Sequence, residues 1–169
     1  MTLEIREART EADLAAVRTL CWGYWEFLRS YGPAEKLITD TFYPRDKYAE
    51  LMAKLAEEHA RPTGIIFLAT AAGQPVGCGM SKKLSPDASE IKRVFVKDAA
   101  RRAGAGRALC EALVDQARTD GFKTVFLDTS KAFAPARALY LSLGLQERAP
   151  YQPIPDIVRD TICYYELRL

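Results

Sequence analysis

Histidine occurs once in this chain of 169 residues, at His59. An imidazole-built metal centre or a nucleophile–His–acid triad would rest on that residue alone. It falls in a helical pattern with Tyr48, Met52 and Leu55, which marks it as a helix-end or packing side chain. No metal is therefore expected. Cysteine pairs are missing too: Cys21, Cys78, Cys110 and Cys163 show no C-x-x-C spacing. That spacing excludes the usual zinc and dithiol motifs, and free, buried thiols in a reducing cytoplasm are expected. Neither sign of charge dominates, with 24 Lys and Arg against 22 Asp and Glu and a net charge of +2. A nucleic-acid surface would need a strongly basic patch. Long apolar runs are lacking as well, none approaching the ~18 residues of a membrane span. The opening MTLEIREARTEADL is charged from Glu4 onward and reads as neither a signal nor a transit peptide.

What is present is an apolar content of 49%, enough for one well-cored domain, with no repeat or linker to divide it. Residues 3–9 read as a strand, followed by a capping box at Thr10 and Asp13. Leu14, Val17, Cys21, Tyr24 and Leu28 recur at steps of three and four as one buried helix stripe, which Gly32 and Pro33 stop. A second helix is predicted from Pro44 to about His59, with Tyr48, Leu51, Met52 and Leu55 inward. Strands follow at 64–70, 76–82 and 90–96, then a helix over 104–118 and a strand at 124–127. Pro135 opens another helix that Gly144 closes, and 161–169 forms the last strand. The whole is a mixed α/β layer fold.

One stretch concentrates charge and bare backbone: Arg101-Arg102-Ala103-Gly104-Ala105-Gly106, between the apolar run Val94-Phe95-Val96 and the helix that begins near Arg107. The first amides of a helix lack internal partners, and the helix dipole makes its N-terminus positive. Glycines let an anion reach those amides, and arginines add forked donors. Two nucleotide motifs fail here. A P-loop needs Gly-Lys-Ser/Thr, but Gly106 precedes Arg107 and Ala108; a dinucleotide fingerprint needs a small residue where Leu109 stands.

The spacing Arg101-x-x-Gly104-x-Gly106 directly after EIKRVFV resembles the Gln/Arg-x-x-Gly-x-Gly/Ala loop of the GNAT family of N-acetyltransferases. GRALCEALVDQARTDGFKTVFLDTS is similar to the family's pyrophosphate helix and next strand, and ARALYLSLGL to its second signature. The resemblance covers residues 64–169. It implies a single acetyltransferase domain, with 1–63 as acceptor-side helices and 64–169 as sheet, coenzyme A loop and C-terminal strands. The implied fold is a mixed, mostly antiparallel central sheet with helices on both faces and a splayed central strand pair.

It further implies acetyl-coenzyme A as co-substrate, held by Arg101, Arg102, Ala103, Gly104, Ala105, Gly106 and Arg107. The pantetheine arm would run beside Val94, Phe95 and Val96, with a backbone N–H near Phe95 or Val96 as oxyanion donor. A primary amine would attack directly, so no Cys or Ser nucleophile is needed. Tyr140 occupies the place of the family's tyrosine near the coenzyme sulfur and is the expected general acid. Phe133 stands where many members carry an Asn that contacts coenzyme A, and Leu145 replaces a Phe.

For the base, the sequence offers Glu90 at the start of the strand 90–96. Strict alternation puts it on one face with Lys92, Val94 and Val96, and Ile91, Arg93 and Phe95 on the other. Trp22, Trp25, Glu26 and Arg29 lie off the first helix's buried stripe. They suggest a pocket wall for a small cationic or amphipathic amine, a homodimer surface, or a second core face. Tyr151 and Pro153 could border the same pocket. Two other functions stay open: a coenzyme A sensor or partner protein without catalysis, and a protein or peptide N-acetyltransferase. An unrelated phosphate-binding α/β protein fits the failed motifs less well.

Overall fold

The computed structural model describes residues 2–169. Strand β1 (Leu3–Glu7) leads into α1 (Glu11–Tyr31), whose first turn is held by the expected capping box. Asp13 also receives Arg6 Nη1 and Nη2 at 2.9 and 2.7 Å, so one carboxylate ties β1 to the helix start. Gly32 and Pro33 end α1 as predicted. Pro33 then serves as the first residue of α2 (Pro33–Phe42), a helix not anticipated from the sequence. A proline that stops one helix is well suited to open the next, because the first helical N–H has no partner anyway. The predicted helix from Pro44 to His59 is two: α3 (Arg45–Ala53) and α4 (Leu55–Glu58), parted at Lys54.

Strands β2 (Ile65–Ala71), β3 (Gln74–Ser85) and β4 (Ala88–Val96) form a meander; α5 (Ala105–Thr119), β5 (Thr124–Ser130), α6 (Ala134–Ser142), β6 (Gln146–Arg148) and β7 (Ile162–Arg168) complete the chain. All seven strands join one sheet in the order β1-β2-β3-β4-β5-β7-β6. Only β4 and β5 run parallel. The fold is therefore single-domain α/β, with a mostly antiparallel sheet and helices on both faces, α1 on one and α5 on the other.

The α1 face buries Val17, Leu20 and Cys21 against Leu68, Cys78 and Met80. The α5 face buries Leu109 and Leu113 against Ile65, Ala69 and Ile91. His59 ends α4 as a buried packing residue, with Nδ1 2.9 Å from Ser81 O. The tryptophans do not form an exposed pair. Trp25 is buried, its Nε1 donating to Tyr43 O at 2.9 Å, and Trp22 is half-buried against Trp25 and Tyr48. Both belong to a second core face of α1, and Trp25 is at the same time part of a cavity wall. Glu26 points to solvent, and Arg29 stacks on Trp25 and pairs with Asp40.

Strict alternation fails on β4. Arg93 sits at φ 52°, and the register with β3 shifts between Cys78 and Met80. This is a β-bulge, two residues of one strand opposing one of the other. Beyond it the faces exchange: Val94 and Val96 join Ile91 over α5, while Phe95 packs under α1 with Arg93 and Lys92 on its side. The expected grouping of Glu90 and Lys92 with Val94 and Val96 is thereby corrected. Gly79 makes the bulge sterically possible, since a Cβ there would lie 3.1 Å from Leu113 and 3.3 Å from Val94.

Candidate active site

β4 and β5 pair over three positions only, Ala88 with Thr124, Ser89 with Val125 and Glu90 with Phe126. Past Glu90 the two strands diverge, and a cavity of about 620 Å³ opens between them. Its walls are Ile91 to Val96 of β4 and Leu127 to Ser130 of β5, roofed by α1 and closed below by α6. The splayed pair expected from the family resemblance is present.

At one end of the cavity lies the 101–107 loop. Residues Asp98–Ala103 form a turn of 3-10 helix, and Gly104 at φ 82° reverses the chain into α5. That left-handed conformation is where glycine alone carries no Cβ penalty. The first α5 amide with an intrahelical acceptor is Ala108 N–H, to Gly104 O at 3.0 Å, so the amides of Ala105, Gly106 and Arg107 precede the internal ladder. Gly104, Gly106, Arg101 and Arg107 line the cavity; Arg102, Ala103 and Ala105 do not, and Ala105 is packed into the core. Arg101 is fixed, its Nε donating to Val96 O at 3.0 Å and its guanidinium 4.8 Å from the Phe27 ring.

Backbone direction on β4 follows from one bond. Lys97 N–H donates to Val76 O on the β3 side. Amides of neighbouring strand residues point to opposite edges, so Val96 N–H, and Val94 N–H two residues back, face the gap. Of the two residues expected to offer a donor, Val96 turns its N–H to the gap and Phe95 turns its own toward β3. Phe95 instead offers its ring, stacked on Tyr24 at 5.6 Å.

Tyr140, on α6, is buried and lines the cavity. Burial pushes its phenol well above the ordinary tyrosine value. Its hydroxyl has no hydrogen-bond partner among the described residues. Phe133 lines the same wall and stacks edge-on to Tyr31 at 4.8 Å, where an amide side chain would have been polar.

Glu90 is nine-tenths or more buried and does not line the cavity. Tyr151 Oη donates to its Oε2 at 2.7 Å, and Lys92 Nζ stands 3.4 Å from its Oε1. The carboxylate that does reach the cavity is Asp128, on β5. Its side chain is accessible from the cavity, yet the surrounding protein desolvates it and raises its pKa; Lys92 counters this, Glu90 adds to it, and the Tyr151 hydroxyl, 3.4 Å away, lowers it. The sequence reading missed Asp128 because the strand was predicted to end at Leu127. A pattern of alternating residues that continued one position further would have found it. Pro153 stays outside the cavity wall, while Tyr151 touches the site through the two carboxylates.

No group of three or more His, Cys, Asp or Glu side chains among the described residues is placed to hold a metal ion.

This arrangement, a gap in a mixed sheet leading to the N-terminus of the following helix, is that of a defined class. The model of the Acetyltransferase (GNAT) family matches residues 21–145, and the chain belongs to that family. Among curated relatives, an IAA acetyltransferase of Azospirillum brasilense is 35% identical over 99 residues, 57% of this chain and 65% of its own length. A ribosomal protein bS18-alanine N-acetyltransferase of Escherichia coli K12 is 37% identical over 79 residues, 45% of this chain and 53% of that one. The matched stretch thus spans just under two thirds of the first relative and about half of the second. In fold, the chain is similar to an acetyltransferase from Streptococcus agalactiae, with a TM-score of 0.75 at 17% identity, over 99% of this chain and 98% of that one. It is also similar to the PaiA N-acetyltransferase of Thermoplasma acidophilum, solved in complex with coenzyme A, with a TM-score of 0.71 at 15% identity over 100% of both chains.

Proposed function

We propose that this protein transfers an acetyl group from acetyl-coenzyme A to the primary amine of a small molecule, by direct attack. One observation carries the reading: Gly106 and Arg107 at the start of α5, the diverging strands β4 and β5, Tyr140 and Asp128 all line one cavity. The residues fit the co-substrate. Gly106 and Arg107 amides with the Arg107 and Arg101 side chains would hold its pyrophosphate, and the diverging strands leave room for an extended arm along Val94 to Val96.

In the reaction the amine nitrogen bonds to the thioester carbonyl carbon and the C–S bond breaks. Val96 or Val94 N–H stabilises the oxyanion that develops. Asp128 takes a proton from the acceptor ammonium to give the free amine that attacks, and Tyr140 gives one to the leaving thiolate. A carboxylate whose pKa is raised is a better base, and a phenol held protonated is a ready acid. Glu90 acts behind Asp128, through the Tyr151 hydroxyl that both carboxylates share. These paired acid and base groups favour an enzyme over a coenzyme A sensor.

A peptide amine is a second reading, favoured by the relative named for a ribosomal protein alanine. A coenzyme A thiol-release assay over small amines, amino acids and short peptides tests both. We expect release with small amines and a thermal shift with acetyl-coenzyme A. Release with peptides alone would move the assignment to the second reading.

A further inference from the structure

The cavity holds a cation, Arg93, that no carboxylate among the described residues pairs with. Arg93 stands on the β4 bulge at φ 52°, a conformation a side chain rarely adopts without a reason in the surrounding structure. The bulge turns Arg93 toward the α1 side, where it lines the cavity between Tyr43 and Tyr48, with ring centroids 5.7 and 5.9 Å away. Its Nε is buried and has no hydrogen-bond partner. No carboxylate among the described residues forms a salt bridge with it.

The nearby acids are otherwise engaged. Glu90 has Lys92 and Tyr151, Glu35 receives the Ser130 hydroxyl at 2.7 Å, and Asp40 is held by Arg29 and Lys36. The groups that influence the Arg93 charge most favourably are Tyr43, Tyr48 and Cys21, none of them a carboxylate. An arginine stays charged in any protein environment, and an unpaired charge away from water is costly. Aromatic faces compensate only in part.

We infer that Arg93 binds the carboxylate of the acceptor, so that the substrate is an amino acid: one small molecule carrying the attacking amine, a carboxylate and an apolar or aromatic body. The forked guanidinium matches a carboxylate with two parallel hydrogen bonds. The opposite wall supplies Asp128 for the ammonium, so the cavity is dipolar, as a zwitterion requires. Lys92 is already balanced by Glu90, which leaves one uncompensated cation and fits a monoanionic group better than a phosphate. Tyr24 and Trp25 line the space beside Arg93 and suit an apolar body.

The inference rests on the acetyl-transfer reading, and the two fail separately. Thiol release is measured with L-phenylalanine against phenethylamine, and with L-tyrosine against tyramine, for the wild type, Arg93→Met and Arg93→Lys. Binding of 3-phenylpropanoate, which has no amine, is measured by calorimetry on the same proteins with and without coenzyme A. We expect kcat/KM for each amino acid to exceed that of its decarboxylated partner at least 10-fold. Arg93→Met should erase that preference by lowering the amino-acid value alone, and Arg93→Lys should restore part of it. 3-Phenylpropanoate should bind the wild type and not Arg93→Met. Equal or better turnover of phenethylamine and tyramine would overturn the inference and leave acetyl transfer standing. So would an Arg93→Met effect equal on both members of each pair, or failure of 3-phenylpropanoate to bind. If no amine is acetylated yet 3-phenylpropanoate binds through Arg93, the carboxylate site stands and the transfer reading falls.

Discussion

Tyr151 Oη donates to Glu90 Oε2 at 2.7 Å, across a sequence separation of 61 residues. The bond fastens the loop before β7 to the last position at which β4 and β5 still pair, and it occupies the carboxylate that the sequence nominated as base. Asp128, two residues past that pairing, is the acid that opens into the cavity.

Asp128→Asn should therefore lower turnover ~10²- to 10⁴-fold, the range of general-base catalysis, and abolish the low-pH limb of the rate profile. Glu90→Gln should do something different. The Glu90 charge helps to raise the Asp128 pKa, so its removal lets Asp128 ionise more readily and moves the low-pH limb to lower pH. Profiles of kcat/KM against pH for both variants check this. A low-pH limb that survives in Asp128→Asn would return the base role to Glu90 or to water.

Tyr140→Phe removes a hydroxyl with no hydrogen-bond partner among the described residues, so the melting temperature should hardly move. If that hydroxyl protonates the thiolate, turnover should fall ~10²- to 10⁴-fold with little change in KM for acetyl-coenzyme A. Because burial holds the phenol protonated well above its usual range, the loss should be similar at every assayable pH. Near-normal turnover would make Tyr140 a core aromatic packed on Tyr165 and no more.

Gly104→Val tests the loop. A Cβ at Gly104 meets nothing within 4 Å, so no packing clash enters the comparison. The φ of 82° should cost about 1–2 kcal/mol of stability, as a left-handed β-branched residue does. Acetyl-coenzyme A at ~100 Kd should stabilise the wild type by ~2.7 kcal/mol, and this shift should vanish in the variant. A variant that is destabilised yet still shifted by acetyl-coenzyme A would place the pyrophosphate elsewhere.

His59 gives a prediction about acid. Burial lowers its pKa from 6.5 to about 4. The unfolded chain then takes up a proton that the folded one refuses, so stability is complete above pH 6.5 and lost as the pH falls toward 4. The loss attributable to His59 is on the order of 3 kcal/mol across that window. His59→Asn keeps a donor near Ser81 O without a titrating ring, and its denaturation midpoint should change less between pH 7 and 4 than that of the wild type.

Periodicity and punctuation sufficed for most of the scaffold. Thr10 with Asp13, the glycine at 104 and the proline at 135 each mark a helix start by a local rule, and each helix begins within a residue or two of its mark. The features that escaped are those decided by contacts distant in sequence. The reversal of faces on β4 depends on a backbone conformation at Arg93 that no alternation rule contains. Glu90 reads as an exposed strand end until Tyr151 is brought over it, and the two tryptophans read as exposed until α2 and α3, the first of them unforeseen, pack against them. Asp128 was lost to a boundary placed three residues early.

The bulge at Arg93 acts as a phase change along a single strand. On its far side β4 presents Val94 and Val96 to the α5 layer, with their amides facing the gap. On its near side the same strand presents Lys92 and Arg93 to the opposite layer. The extra residue lets Lys92 and Arg93 both face the α1 side while Val94 and Val96 keep the α5 side. One strand thus lines the cavity with two apolar side chains on one layer and two cationic ones on the other. Deleting the extra residue would restore strict alternation, leave Val94 and Val96 on the α5 face, and take the Arg93 side chain out of the cavity.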